Sequence, residues 1–388
     1  MNSPIHRFLA TTVASLLAVT AFADNIPSDG GIAAVLQPYV DHHSLAGAVT
    51  LIASKDTILD LETVGYEDIA GDRKMAANAL FWIASQSKPI TATVLMMLVD
   101  EGKVNVDAPV EKYLPEFRGQ WLTTEQDGDH LLLKKPAHPI TVRNILSHTS
   151  GLPFKSAMET PTLDLLPLRD AVRSYAMTPL QFAPDTKYRY ANAGINTVGR
   201  IIEVVSGMPY QDFLEQRIFK PLGMKDTTFW PNEEQLTRLA KSYKPDSSKT
   251  GLEETTVTQL KYPLNDHNRQ PMPAGGLFST ATDIARFCQM ILNGGEYEGH
   301  RYLSEAAVKQ MTSKQTGDQV REGYGFGWNT NNGTFGHGGA YSTNMSIDTN
   351  RGLITIYMVQ HSGFPNDGGK AQGAFVQAAV QRYGNSGK

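Results

Sequence analysis

The order of strand-like and helix-like segments constrains this chain most. "AGAVTLIASKDTILDLETVGYED" predicts two strands, 46–54 and 57–66, with a tight turn near Lys55-Asp56. At the far end "GYGFGWNT", "GTFGHGGA", "STNMSIDT" and "GLITIYMVQ" predict further strands, followed by a helix over about 367–383. From about 140 to 240 helical patterns dominate, and "TATDIARFCQMILNGG" predicts another helix with Thr280 or Thr282 as its N-cap. Residues 119–139 read as a hairpin around Asp127-Gly128, and 241–273, polar and proline-containing, as loop. One sheet built from both chain ends is the simplest arrangement. The expectation is an α+β fold, an antiparallel sheet flanked by helices. Residues 24–105 and 270–388 would form the sheet domain and 106–269 a mostly helical one.

The 388 residues include 41% hydrophobic and 19% charged side chains, enough apolar surface for a packed core. The formal charge is −4 and no stretch is strongly basic, which argues against nucleic acid as a partner. Arg7, the apolar run Phe8 to Val19 and Ala21-Phe22-Ala23 form a signal-peptide pattern over 1–23. This predicts a secreted or periplasmic protein beginning at Asp24, without stable membrane insertion after cleavage. The lone cysteine, Cys288, cannot form an internal disulfide and reads as a small buried apolar residue.

Three motifs carry chemistry. In "FWIASQSKPITATVLMMLVDEG", Ser85 and Lys88 open a very apolar helix that ends at Gly102. Positions i and i+3 share a helix face, so the amine can reach the hydroxyl, and Pro89 places both in the first turn. A serine there also feels the positive end of the helix dipole, which favours an alkoxide. A chain of this composition supplies one Ser-x-x-Lys by chance, so spacing alone equally allows an N-cap and a solvated lysine. "YRYANAG" brings Tyr190 and Asn192 two residues apart: a phenol that a nearby ammonium would help to ionise, and an amide for a substrate carbonyl, or else a turn with Asn192 as N-cap. "FGHGGA" brings His337 beside Gly338 and Gly339, where a substrate can approach the backbone and the imidazole could hydrogen-bond it or help proton transfer as a catalytic group, or else an interstrand loop with a satisfied histidine. No histidine pair has zinc-ligand spacing, and no Gly-x-Ser-x-Gly pentapeptide occurs.

Ser-x-x-Lys, Tyr-x-Asn and His-Gly-Gly, in this order and spacing, resemble the penicillin-recognising serine enzymes in their class C β-lactamase-like branch. "LSHTSGL", "PLGMKDT", "AGGLFSTATDIARF" and "GYGFGW" extend the resemblance over roughly 30–385. It implies a β-lactamase/transpeptidase-like fold and a serine hydrolase working through an acyl-enzyme, without metal or organic cofactor. By the same resemblance Ser85 is the nucleophile, Lys88 and Tyr190 share the base work with their order open, and Asn192 orients a small ester, amide or peptide substrate. The backbone N–H groups of Ser85 and Ala340 would form the oxyanion hole. His337 stands where β-lactamases carry lysine. A neutral imidazole recognises a carboxylate poorly, and Ala340 in place of a polar residue points the same way. The expectation is an esterase-like hydrolase first, a DD-carboxypeptidase or D-aminopeptidase second, a weak β-lactamase third. A non-catalytic penicillin-binding or sensor module is the alternative of another class. Cleft walls are expected from 119–139, 153–168 and 262–273.

Overall fold

A computed structural model describes residues 31–384. The signal-peptide pattern lies outside the described residues. Seven strands form one sheet: β1 (Gly47–Ala53), β2 (Ile58–Asp68), β3 (Arg73–Lys74), β4 (Asn329–Asn331), β5 (Thr334–Gly338), β6 (Asn344–Asp348) and β7 (Leu353–Met358). Their order is β4-β5-β6-β7-β1-β2-β3, and every neighbouring pair is antiparallel. The two chain ends therefore meet at the β7–β1 pair, where Val49 faces Met358 and Leu51 faces Ile356.

Both central strands are buried on both faces, which explains why their runs are apolar apart from Thr50 and Thr355. The period of two assigns their residues to two layers. Val49, Leu51, Ile354 and Ile356 join the main core, while Ala48, Ile52, Leu353 and Tyr357 face the chain-terminal helices. The main core continues without a break into the helices between the two sheet halves. At its centre lies α1 (Ser87–Asp100), apolar on all sides and buried from Ser87 to Leu98. Gly102, at φ +71°, ends it in the left-handed conformation open to glycine. The site also uses α2 (Leu168–Met177) and α3 (Asn192–Ser206), while α4 (Ala281–Leu292) covers the sheet.

Thr280 rather than Thr282 caps α4, its side chain accepting from the Asp283 N–H at 3.3 Å. The 119–139 hairpin forms as strands Leu122–Gln126 and Leu131–Lys134. Two expectations fail. The 241–273 loop contains a further hairpin, Ser242–Pro245 with Leu252–Thr255, closed by Asp246 accepting from Ser248 and Thr250. "GYGFGWNT" is strand only from Asn329, because Gly327 turns the chain at φ +79°.

Candidate active site

Ser85 sits in a single 3-10 turn, Ala84–Gln86, that feeds directly into α1. The approach to it is strained: Ala84 has φ +45°, a conformation that costs a non-glycine residue roughly 1–3 kcal/mol. The segment is held by Ile83 N–H donating to the Leu277 carbonyl at 3.0 Å and Trp82 Nε1–H to the Gly275 carbonyl at 2.8 Å. Ser87 closes the turn, donating to the Ala84 carbonyl at 2.7 Å.

Lys88 is fully buried and its amine meets three oxygens: Ser85 Oγ at 3.0 Å, Asn192 Oδ1 at 2.9 Å and the Ala274 carbonyl at 2.7 Å. No carboxylate is among these partners, so burial holds its pKa well below the usual lysine value. The geometry suits either protonation state. As an ammonium, Lys88 donates to all three oxygens. As an amine, it donates to Asn192 Oδ1 and the Ala274 carbonyl oxygen, atoms that can only accept, and turns its lone pair to the Ser85 hydroxyl.

Asn192 does not cap its own helix. The first N–H groups of α3, those of Asn192 and Ala193, donate to the Phe154 carbonyl at 3.0 and 3.1 Å, which leaves the Asn192 side chain for Lys88. The ring centroid of Tyr190, two residues earlier, lies 4.6 Å from Lys88 Nζ. Contrary to the sequence expectation, this phenol is harder to ionise than a free one despite the nearby lysine. Burial outweighs the opposing influence of the Ser85 hydroxyl and raises the Tyr190 pKa, so the phenol stays protonated.

His337, which the sequence offers for a substrate hydrogen bond or for proton transfer, already has partners on its ring. Its Nδ1–H is taken by the Gly338 carbonyl at 2.7 Å. Nε2 is thereby the acceptor, and the Tyr324 hydroxyl donates to it at 3.1 Å. Both ring nitrogens are occupied. Burial, helped by the positive charge of Lys88, lowers its pKa to about 3, so the ring is a neutral wall of the site. The adjacent glycines differ. A Cβ on Gly339 would collide with the Ile83 carbonyl and the Thr343 hydroxyl, whereas one on Gly338 would meet only atoms 3.6 Å away. Close packing against the turn before Ser85 requires glycine at 339; at 338 a methyl would fit in ordinary van der Waals contact.

Ser85, Tyr190, Asn192, His337, Gly338, Gly339 and Ala340 all line one cleft of about 380 Å³. Its remaining walls are Trp82, Ala84, Phe154, Gln259, Met272, Ala274, Gly275 and Asn329. Phe154 and Met272 come from two of the expected loops. The 119–139 hairpin contributes no wall residue; Gln259 and Asn329 do.

Three participants were not singled out from the sequence. The Ala274 carbonyl and the left-handed Ala84 are backbone features that their residue types do not signal. His148 lies within "LSHTSGL", where nothing in the sequence signals a role for its ring. At φ +60° it zips the Tyr190 segment in place: its carbonyl accepts from Arg189 N–H at 2.9 Å and its Nδ1 from Ala191 N–H at 3.3 Å. Its ring lies 4.6 Å from that of Tyr190 and 4.7 Å from that of Tyr324.

The family model described as Beta-lactamase matches residues 32–379. The chain belongs to the beta-lactamase family. Among curated relatives, protein Rv1367c of Mycobacterium tuberculosis is 29% identical over 369 residues, covering 85% of this chain and 90% of the relative. Esterase EstB of Burkholderia gladioli is 27% identical over 363 residues, covering 84% and 88%. A solved structure titled EstCE1, a hydrolase with promiscuous acyltransferase activity, superposes with a TM-score of 0.75 at 22% identity, covering 90% of this chain and 97% of the other. That similarity supports the β-lactamase/transpeptidase-like fold expected from the motifs.

Proposed function

We propose that this beta-lactamase-family serine hydrolase cleaves uncharged carboxylic esters through an acyl-enzyme on Ser85. One observation carries the choice of substrate. Among the described residues lining the cleft there is no lysine or arginine, and His337, where a cation would bind a substrate carboxylate, is neutral. Trp82, Phe154 and Met272 provide apolar walls for an acyl or alcohol group, and Asn192 an amide for its carbonyl. The esterase name of a relative over most of this chain agrees with that reading.

The neutral amine of Lys88 takes the Ser85 proton as Oγ attacks the ester carbonyl carbon. The N–H groups of Ser85 and Ala340 receive the developing oxyanion. As the C–O bond to the alcohol breaks, Tyr190 gives its proton to the departing oxygen and takes one back from Lys88. Water then attacks the acyl-enzyme, surrenders a proton along the same route, and Ser85 leaves with it. Tyr190 works in this scheme as a protonated relay, which its raised pKa favours.

A fluorophosphonate probe should label Ser85, and Ser85→Ala should abolish labelling. A panel of p-nitrophenyl esters, D-Ala-D-Ala peptides and nitrocefin should show ester hydrolysis far above the other two. Strong nitrocefin turnover would overturn the substrate assignment, and an unlabelled, inactive wild-type protein would overturn the enzyme itself. The leader pattern over 1–23 supports export to the periplasm or medium; a mature N-terminus at Asp24, read by mass spectrometry, is the expected result.

A further inference from the structure

Behind Lys88 lies a buried polar chain that no step above uses. Helix α3 presents Asn192 and Asn196, which share a face at i and i+4. Asn192 accepts from Lys88 directly. Asn196 Oδ1 accepts the Ala274 N–H at 3.0 Å, and the carbonyl of that same residue accepts from Lys88 at 2.7 Å. Asn196 Nδ2–H in turn donates to the Tyr175 hydroxyl at 3.0 Å, and Tyr175 donates to Glu159 Oε1 at 2.7 Å. The other Glu159 oxygen accepts the Ser156 N–H at 2.7 Å. Asn196, Tyr175 and Glu159 are 2%, 0% and 1% exposed, so no part of this chain is set by solvent. None of the three lines the cleft.

We propose that Asn196 is a positioning residue for the general base: it fixes Ala274 so that the carbonyl of that residue aims at Lys88, with Tyr175 and Glu159 holding the Asn196 amide in the required orientation. An amide is needed because its two ends do different work. The oxygen must accept from a backbone N–H while the nitrogen donates to a hydroxyl already committed to a carboxylate. With Asn192 and Ala274 both fixed, the two N–H groups of the amine have fixed destinations and its lone pair has only Ser85 left.

This inference rests on Lys88 being the base, and its test separates the two. Lys88 is faced by Ser85 and by the Tyr190 phenol, and His148 and His337 interact electrostatically with it; both imidazoles are held neutral by burial. The rise of kcat/KM with pH therefore reports Lys88. Asn196→Leu frees Ala274. The ammonium then loses a charge-assisted bond, which is stronger than the bond the neutral amine loses. The acidic limb should move to lower pH, with kcat down roughly tenfold, about the worth of one hydrogen bond, and KM nearly unchanged. Asn196→Asp keeps the acceptor and, when protonated, the donor, and should return kcat to within about threefold of wild type. Tyr175→Phe should move the limb the same way as Asn196→Leu, by less, and it decides the matter if the leucine variant does not fold. A folded Asn196→Leu enzyme with wild-type kcat and pH profile would overturn the proposal, as would an aspartate variant as impaired as the leucine one. Loss of Ser85 labelling in the wild type would instead strike the function itself.

Discussion

Asp164 and Arg269 meet at 2.7 Å in an ion pair whose side chains are 0% and 2% exposed. The pair joins two loops that wall the cleft. Asp164 also accepts the Lys261 N–H at 3.0 Å, and Arg269 donates to the carbonyls of Phe229 and Leu264. The Asp164 carbonyl accepts from Gln270 N–H at 2.8 Å, two residues before Met272. Removing one partner leaves an uncompensated buried charge, at a cost of about 3–5 kcal/mol. Arg269→Met should therefore lower the thermal midpoint clearly. In the fraction that stays folded, KM should rise more than kcat falls, because the loosened loops carry walls rather than the Ser85–Lys88 pair. Calorimetry and steady-state kinetics on one ester check both.

Stability should fall on mild acidification. His148, His337 and His361 are each buried and use one ring nitrogen as an acceptor, from Ala191 N–H, the Tyr324 hydroxyl and Ala46 N–H respectively. Protonation destroys that acceptor, and burial depresses all three pKa values, to about 3 for His337 and His361. A depressed histidine pKa means that the unfolded chain binds the proton more readily. The stability is whole above the unfolded value of 6.5 and drains away as pH falls from there toward 3. Urea midpoints at pH 7.5, 6 and 5 should decrease in that order. A flat series would show that these rings are not neutral acceptors.

The fold was legible because its strongest signals are local. The central strands announce themselves by runs that are apolar apart from one threonine each, and Gly102 marks where α1 stops. The site was legible for the opposite reason. Ser85, Lys88, Tyr190 and Asn192 are chemical types whose order and spacing carry a resemblance, and the folded chain gathers them around the Lys88 amine. What escaped was everything decided by burial. The sequence supplies a tyrosine and a lysine to one family pattern but does not show that desolvation outweighs their attraction. It shows a histidine in a glycine-rich strand but not that Tyr324 and Gly338 occupy both its nitrogens. The Ala274 carbonyl and the left-handed Ala84 belong to the backbone, and alanine advertises neither.

Gly338 and Gly339 should respond differently to alanine. At 338 the added methyl meets atoms at ordinary van der Waals distance, so stability should change by less than about 1 kcal/mol. Any activity lost by Gly338→Ala then reports how closely substrate approaches that strand edge. At 339 the methyl would collide with the carbonyl of Ile83, in the turn that leads into Ser85. Gly339→Ala should lose both thermal stability and probe labelling. Equal tolerance at the two positions would mean that the Ile83 turn can retreat without displacing the serine.

Lys88→Arg against Lys88→Met decides which group takes the Ser85 proton. Arginine restores a cation beside Ser85 but cannot be deprotonated in a protein, so it cannot serve as a base. Methionine removes the charge and fills much of the same buried space. If the neutral amine is the base, both variants should lose roughly 10²–10⁴-fold in acylation rate, the range for one general-base group. Both should also lose the acidic limb of the kcat/KM profile. The measurement is the rate of Ser85 labelling by an activated ester between pH 5 and 10, in folded variants checked by circular dichroism. An arginine variant that retained near-wild-type acylation would show that a permanent cation is enough. The proton would then have to pass to Tyr190, whose burial opposes that ionisation.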